Sequence, residues 1–159
     1  MIISGGDISG ILQAGWEQGK CPIANGIIYA TGTIACFNLS VRRIGGKNAV
    51  ALSRGGIESL ASLAAVGRLE WTHVTEMCSD ESVQHGVRAV GGEGGMGSEG
   101  FVALIELQTN RICWIMCFEE SNPFSAVRVL GDLIIAESTL GHKWTIPIKD
   151  PEKVRTEIV

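Results

Sequence analysis

The residues of this chain that could do chemistry are its histidines, cysteines and acids. His73, His85 and His142 are scattered, and none belongs to an HxH or HExxH pattern, the spacings that bring imidazoles to one metal ion. The cysteines contain no CxxC pair; they are Cys21, Cys36, Cys78, Cys113 and Cys117. These spacings predict neither a bound metal nor a cofactor, and they favour structural roles for the histidines.

Two groupings could in principle support catalysis. His73, Cys78 and Asp80 are close enough in sequence to suggest a nucleophilic trio, but the step from His73 to Cys78 is odd. Residues an odd step apart point to opposite faces of one strand, so these two should not meet. Glu119 and Glu120 could form a carboxylate pair for acid/base work, but neighbours at a strand end usually diverge. We therefore predict no catalytic residue.

A glycine-rich segment, residues 91–100, contains the spacing GxGxxG at residues 92–97. A dinucleotide site needs that turn to open a helix, whose N-terminus holds the pyrophosphate. Here the glycines lead into FVALIEL, which has no helical period, and Glu93 and Glu99 would repel phosphate. We predict a surface loop over residues 91–100 with no nucleotide bound.

Negative charge is concentrated in the second half of the chain. The formal net charge is -4, and residues 81–137 hold eight acids against three arginines, a balance of −5. Such a surface repels nucleic acid and attracts basic proteins, although a solvated face that serves only solubility is the simpler interpretation. Turn and glycine contexts predict that five of these acids are exposed and bind a partner: Glu93, Glu99, Glu119, Glu120 and Asp132.

The elements that would position these acids are mainly short strands. From Phe101 onward, apolar runs alternate with turn residues at intervals of about ten residues, typical of antiparallel β-structure. Helical spacing predicts helices over residues 7–19, with Asp7 as a possible cap, and over residues 56–66, with Ser53 as a possible cap. We expect one α+β domain over residues 1–159, in which a β-meander sheet, half-barrel or sandwich-like, carries one or two packed helices.

One strand should lie in the interior of this sheet. In ICWIMCF, residues 112–118, both alternating faces are apolar: Ile112, Trp114, Met116 and Phe118 on one, and Cys113, Ile115 and Cys117 on the other. At the edge of a sheet, this apolar strand would be free to pair with other chains. It should therefore be central and covered on both faces, with the 56–66 helix as one cover.

The compartment and the oligomeric state can be predicted only coarsely. The first residues, MIISGGDISG, have no basic segment and no long apolar stretch, so we expect no signal peptide. Apolar runs fall short of the roughly 18 residues of a membrane-spanning helix. Unpaired cysteine usage indicates a reducing cytoplasm, and we expect a monomer or a weak homodimer.

A family resemblance accompanies the acidic turn at residues 119–124, EESNPF, and the closing segment GHKWTIPIKDP. The short acidic β-rich chain is similar in architecture, mainly over residues 101–151, to bacterial toxin immunity proteins, including those of contact-dependent growth inhibition systems. The resemblance implies a non-enzymatic inhibitor that binds a cognate toxin domain, commonly a basic nuclease. Two alternatives stay open. An apolar pocket lined by Trp71 and Trp114 would indicate a small-ligand binder, and convergent titratable groups in a cleft would indicate an enzyme.

Overall fold

A computed structural model describes the backbone of residues 5–158 and the side chains of residues 10–158. Helix α1 is Gly5–Glu17, helix α2 is Leu60–Ala65, and a 3₁₀ turn is Pro151–Lys153. The remaining elements are antiparallel strands: β1 (Lys20–Pro22), β2 (Gly26–Tyr29), β3 (Thr33–Ile44), β4 (Lys47–Ser59), β5 (Trp71–His73), β6 (Thr75–Ser82), β7 (Val87–Glu93), β8 (Gly100–Glu106), β9 (Ile112–Phe118), β10 (Phe124–Leu130), β11 (Leu133–Ser138), β12 (His142–Pro147) and β13 (Arg155–Ile158).

The strands are divided among three sheets. The largest has seven strands in the order β4-β3-β2-β9-β8-β7-β6, the second is the meander β10-β11-β12-β13, and the third is the pair β1-β5. Strand β9 is hydrogen-bonded to β2 on one side and to β8 on the other. Both of its edges are therefore occupied, so the following strand β10 cannot pair with β9, and β10 begins a second sheet.

Two hydrophobic cores lie on opposite faces of the seven-stranded sheet. The first fills the space between the two larger sheets and is centred on Trp144, Phe124 and Trp114. The second lies between the seven-stranded sheet and a layer made of the two helices and the β1-β5 pair, with Leu12 and Leu60 supplied by the helices. The seven-stranded sheet is thus the middle layer of three.

The two larger sheets are also tied together along their edges. Strand β10 packs against β6 and β7, and β13 packs against β4. At the first seam the Val129 amide donates to Asp80 Oδ2 at 2.8 Å. At the second, Thr156 Oγ1 donates to the Val50 carbonyl at 3.1 Å, and His142 Nε2 bonds to the Asn48 carbonyl.

The structure confirms a mainly antiparallel β-protein with two helices. The predicted β-meander sheet, half-barrel or sandwich-like, is not confirmed in that form, because the strands are divided among three sheets. The predicted interior position of residues 112–118 is confirmed. The predicted face alternation fails at one point, because a bulge opposite Leu104 and Ile105 shifts the register. Ile112 consequently packs in the second core and Cys113 against the first, the reverse of the expected arrangement.

The helix predicted over residues 56–66 is confirmed only in part. Residues up to Ser59 continue β4, with Ile57 opposite Ala35 and Glu58 opposite Ile34. Only Leu60–Ala65 is helical, and its N-cap is Ser59, whose hydroxyl accepts from the Ser62 amide at 3.1 Å, so Ser53 is not the cap. Hairpin pairing with β3 outweighs the helical spacing here, and it leaves the side chain of Ile57 71% exposed.

The helix predicted over residues 7–19 is confirmed with shifted ends. It is α1, which contains Asp7 within it, so Asp7 does not cap it. The apolar side chain predicted at Ile8 is outside the described side chains. The expectation of no signal peptide concerns residues 1–10, of which residues 1–4 are outside the described residues, and it stays a prediction. In the part of the chain that the structure describes, no helix has the length and apolarity to cross a membrane.

The loop predicted over residues 91–100 is shorter than expected. Gly91 and Gly92 belong to β7, and Gly100 belongs to β8, which leaves residues 94–99 as the loop. A Cβ at Gly92 would lie 2.0 Å from the Thr75 carbonyl oxygen, and one at Gly100 would lie 2.1 Å from that of Asn122. These glycines allow neighbouring backbones to approach closely, which is an established use of glycine within strands.

Candidate functional site

A cleft of about 530 Å³ has several polar groups in its wall, and we call it the acidic cleft. It lies where the β1-β2 connection, β3, the 94–99 loop and the turn after β9 meet. Its lining residues are Asn25, Phe37, Asn38, Leu39, Met96, Ser98, Glu99, Glu119 and Glu120. The structure therefore brings together three of the five predicted partner-binding acids: Glu99, Glu119 and Glu120.

Asn25 fixes Glu119 at the wall of this cleft. Its side-chain nitrogen Nδ2 donates to Glu119 Oε2 at 2.5 Å, and its Oδ1 accepts from the Glu119 amide at 2.9 Å. Asn25 has a φ of 50°, in the left-handed region that asparagine tolerates better than most residues. Its own carbonyl accepts from the Phe37 amide at 2.9 Å, which anchors it to β3. The Glu119 carboxylate is thus held in one orientation before any partner arrives.

Hydrogen bonds from two other segments hold the turn that carries Glu119 and Glu120. The Asn122 amide donates to the Ser98 carbonyl at 2.8 Å, and the buried Ser138 hydroxyl donates to the Ser121 carbonyl. Asn122 has a φ of 61°, so this turn also needs a residue that accepts the left-handed conformation. Glu119 and Glu120 themselves are exposed, as predicted.

Glu99 is not exposed, so its predicted exposure is wrong: only 6% of it is accessible. Its Oε1 accepts from Thr72 Oγ1 at 2.9 Å and from the Met96 amide at 2.8 Å. Thr72 Oγ1 in turn accepts from the Gly95 amide at 2.8 Å. The Glu99 carboxylate therefore folds the 94–99 loop around itself and ties that loop to β5. The burial of Glu99 could not be predicted from the glycine-rich sequence, because an acid among glycines usually lies in solvent.

The electrostatic balance of the cleft is negative. Among the described lining residues there is no lysine or arginine. Arg54 lies beside it, with its guanidinium 5.4 Å from the centre of the Phe37 ring, but it forms an ion pair of 2.5 Å with Glu152. Glu152 also accepts from the Tyr29 hydroxyl at 2.6 Å. Burial, followed by this hydrogen bond, raises the pKa of Tyr29 well above its ordinary value.

The two remaining predicted acids do not line the cleft. Glu93 is half-buried at the end of β7, opposite Gly100 and Thr75. Asp132 lies in the β10-β11 turn, where its Oδ1 is 2.9 Å from His85 Nε2 in the β6-β7 turn. Strand β7 separates that turn from the 94–99 loop, and seven residues of strand span about 23 Å. Asp132 is therefore remote from the acidic cleft, and its predicted partner-binding role stays a prediction.

Sequence reasoning missed a hydrogen-bonded chain at this opposite end. Ser82 Oγ lies 2.9 Å from His85 Nδ1, and His85 Nε2 bonds Asp132. The order resembles a nucleophile, a base and an acid, but Ser82 Oγ also accepts from the His85 amide at 3.2 Å, as a turn cap does. Asp132, 86% of whose side chain is accessible, connects the β10-β11 turn to this cap. The signal available in the sequence was SVQH, a serine three residues before a histidine.

The other sequence-level groupings do not assemble. Cys78 Sγ donates to the Phe124 carbonyl, and Asp80 accepts from Val129, so both face β10, whereas His73 belongs to the β1-β5 pair. Within the described residues no group of three His, Cys, Asp or Glu side chains could hold a metal ion.

Trp71 and Trp114 lie on different sides of the seven-stranded sheet. Trp114 is buried between the two larger sheets, where its Nε1 donates to the Ile148 carbonyl at 3.3 Å. Trp71 packs against Gly15 of α1, in the helical layer. The shared apolar pocket that would indicate a small-ligand binder does not form.

Comparison with known proteins does not identify a family for this chain. No family model matches the chain, and no curated protein matches it. Among solved structures, Sqt1 of Saccharomyces cerevisiae is similar at a TM-score of 0.40 and 13% identity, over 92% of this chain and 36% of that one. The chain thus spans about a third of the length of Sqt1. A likeness at this level carries no argument about fold or function.

Proposed function

We propose that this protein is an immunity-type inhibitor that captures a basic segment of a cognate bacterial toxin domain in the acidic cleft. The observation that carries the proposal is the wall of the cleft, where Glu119 and Glu120 are exposed on a fixed turn and the described lining residues include no lysine or arginine. A domain that acts on nucleic acid must carry lysine and arginine to hold phosphates. Carboxylates placed in a recess imitate those phosphates.

The preorganised orientation of Glu119 supports a binding role. Ordering a flexible side chain on association costs about 0.5–1.5 kcal/mol. The hydrogen bond from Asn25 Nδ2 already restrains the Glu119 carboxylate, and Asn25 Oδ1 holds the Glu119 backbone amide. The recess also indicates the shape of the partner. A projecting loop or a single long basic side chain would enter it, with the exposed side chain of Met96 as an apolar contact at the rim.

The same geometry argues for binding in preference to acid/base catalysis. Glu99 is occupied by Thr72 and Met96, and Glu119 is occupied by Asn25, so each of these two carboxylates has protein donors on one oxygen. A catalytic pair would need its oxygens directed at a shared substrate position. The free thiols of all five cysteines are in keeping with a reducing cytoplasm as the site of action.

The decisive experiment measures association with the toxin domain encoded by the adjoining gene. Glu119→Lys/Glu120→Lys should slow association severalfold at low salt and flatten its salt dependence, because exposed interface charges act mainly on the association rate. Glu81→Lys/Glu106→Lys is the matched control: it makes the same change in net charge on exposed residues far from the cleft.

Two results would contradict the proposal. One is an adjoining gene that encodes no toxin domain. The other is a cleft double mutant that folds as the wild type does and associates at the same rate as the control at both low and high salt.

A further inference from the structure

The long β3-β4 hairpin extends beyond the rest of its sheet. Strand β2 pairs with β3 only as far as Cys36, and the Phe37 amide then donates to the Asn25 carbonyl at 2.9 Å. Over residues 38–44, β3 is paired with β4 alone in the described part of the chain. One edge of β3 is therefore open, and it begins inside the acidic cleft, whose lining includes residues 37–39.

Hydrogen bonds to neighbouring elements show which backbone groups point to this open edge. Side chains of β12 and β13 bond to the carbonyls of Asn48 and Val50 in β4, so these carbonyls point away from β3. The residues opposite these two in β3 are Arg43 and Val41. In an antiparallel pair, residues that lie opposite each other direct their N–H and C=O groups either both towards the partner strand or both away from it. Arg43 and Val41 therefore direct both groups to the open edge, and Leu39 does the same because the direction alternates along a strand.

The tip of the hairpin carries the charge opposite to that of the cleft. Residues 38–53 contain three cations and no acid. The cations are Arg42, Arg43 and Lys47. All three are exposed, and none of them forms an ion pair with a described residue. The φ angles of Gly45 and Gly46 are 57° and 79°, as in the tight turn that joins two hairpin strands directly, so the cations stay at the end of the hairpin.

We propose that two copies of this chain associate by antiparallel pairing of their open β3 edges, so that the tip of each hairpin enters the acidic cleft of the other copy. A two-fold axis at Val41 places this residue opposite its counterpart and places Arg43 opposite Leu39 of the other copy. The outward N–H and C=O groups of all three residues then have partners. Addition of a strand to an open sheet edge is an established mode of protein association.

Charge complementarity selects both the register and the occupant. Leu39 lines the cleft together with Glu119 and Glu120, so an arginine opposite Leu39 comes within reach of these carboxylates. A register that brought the two tips together would place like charges opposite each other, which is destabilising. The two-fold axis makes the favourable contact twice. Val41, which is 40% exposed in the single chain, is covered by its counterpart at the centre.

The paired segment is short, so the dimer is weak, and its charge contacts are screened by salt. A second copy and a basic toxin segment compete for the same cleft in this arrangement. The inference does not depend on the proposed function, because it concerns the purified protein alone. A protein that stays monomeric would overturn the dimer and would leave capture of a toxin segment untouched.

The test is analytical ultracentrifugation of the purified full chain from about 10 μM to about 1 mM, a range that brackets a weak contact. The wild type should show a reversible monomer–dimer equilibrium that weakens as salt rises. Arg42→Glu/Arg43→Glu and Glu119→Lys/Glu120→Lys should each weaken the dimer by about tenfold or more, because like charges then meet. The variant that combines all four substitutions restores opposite charges and should recover the dimer.

Arg111→Glu/Arg128→Glu is the matched control. Both arginines are exposed, and they neither line the cleft nor belong to the β3-β4 hairpin, so this variant should dimerise as the wild type does. Val41→Pro removes an N–H group that points away from β4, so the hairpin keeps its own hydrogen bonds while the central pair of the dimer is lost.

Three results would contradict the dimer. They are a wild type that is monomeric at every concentration, a dimer that is unaffected by Val41→Pro or by the charge reversals, and a folded four-substitution variant that does not recover association. Circular dichroism establishes that each variant is folded. If Val41→Pro does not fold, the salt series of the wild type and the four-substitution variant decide the matter.

Discussion

At the scale of single residues, the acids of this protein perform three different tasks. Glu119 is displayed in an open cleft by Asn25, Glu99 is buried as the organiser of a loop, and Asp132 fastens one turn to another through His85. Sequence context placed all three in glycine or turn segments and could not separate these tasks, since the partners of each are distant along the chain.

Glu99 gives a prediction at this scale. Glu99→Gln keeps an acceptor oxygen for Thr72 and the Met96 amide and removes a buried charge that has no ion pair among the described residues. We expect its free energy of unfolding to lie within about 1 kcal/mol of wild type, whereas Glu99→Ala should lose about 1–3 kcal/mol because two donors lose their partner. Denaturant unfolding of both variants measures the difference. Equal losses for Gln and Ala would show that the carboxylate charge is what matters.

Asp132 gives a prediction about pH. The hydrogen bond and charge of His85 lower the pKa of this exposed carboxyl below its ordinary 3.8. A carboxyl whose folded-state pKa is lowered binds fewer protons in the folded state than in the unfolded state, so its contribution is present above the ordinary pKa. That contribution is lost as the pH falls through the lowered value. Asp132→Asn should therefore reduce the acid dependence of the melting temperature below pH 3.8. NMR titration of the Asp132 carboxyl checks the shift directly, and an ordinary pKa would contradict it.

At the scale of the elements, glycine marks places where two backbones touch. Gly92→Ala in β7 would bring a methyl group to 2.0 Å from the Thr75 carbonyl oxygen, in contact with rigid backbone. We expect a loss of about 3 kcal/mol in the free energy of unfolding, at the upper end of typical overpacking costs.

Gly56→Ala in β4 is the matched control. It has nothing within 4 Å of the new carbon, and it should change the free energy of unfolding by no more than about 1 kcal/mol. Denaturant unfolding compares the two variants. Equal effects would contradict the close approach of β6 and β7.

At the scale of the whole molecule, stability rests on two cores that share one sheet. Trp144 is at the centre of the first: its ring lies 5.2 Å from that of Phe124 and 5.4 Å from that of Phe118. Its indole Nε1 is buried without a hydrogen-bond partner. The residue therefore gains from apolar contact and loses from the desolvation of its N–H group.

The prediction at this scale compares two substitutions of Trp144. Trp144→Ala should cost about 3–5 kcal/mol, as expected when a large buried aromatic is removed. Trp144→Phe leaves a smaller void and removes the unpaired N–H, so it should cost clearly less than the alanine variant. Thermal and denaturant unfolding of the two proteins provide the comparison. A phenylalanine variant as unstable as the alanine variant would mean that the indole N–H has a partner.

The sequence alone determined strands β8 to β12, because apolar runs separated by turn residues depend on local chemistry. It also determined the interior position of residues 112–118, since two apolar faces cannot remain in water. It did not determine that β10 begins a new sheet, because the order of strands in a sheet depends on pairing between segments distant along the chain. Nor did it determine the end of β4 at Ser59, where pairing with β3 outweighed helical spacing.

The candidate site was decided almost wholly by the tertiary structure. Glu119 and Glu120 were predicted correctly as exposed acids, but their cleft depends on Asn25, which is 94 residues away along the chain. Glu99 is buried because Thr72 and the Met96 amide surround it. Composition and spacing report what each residue can do, whereas contacts between distant segments decide which residues act together.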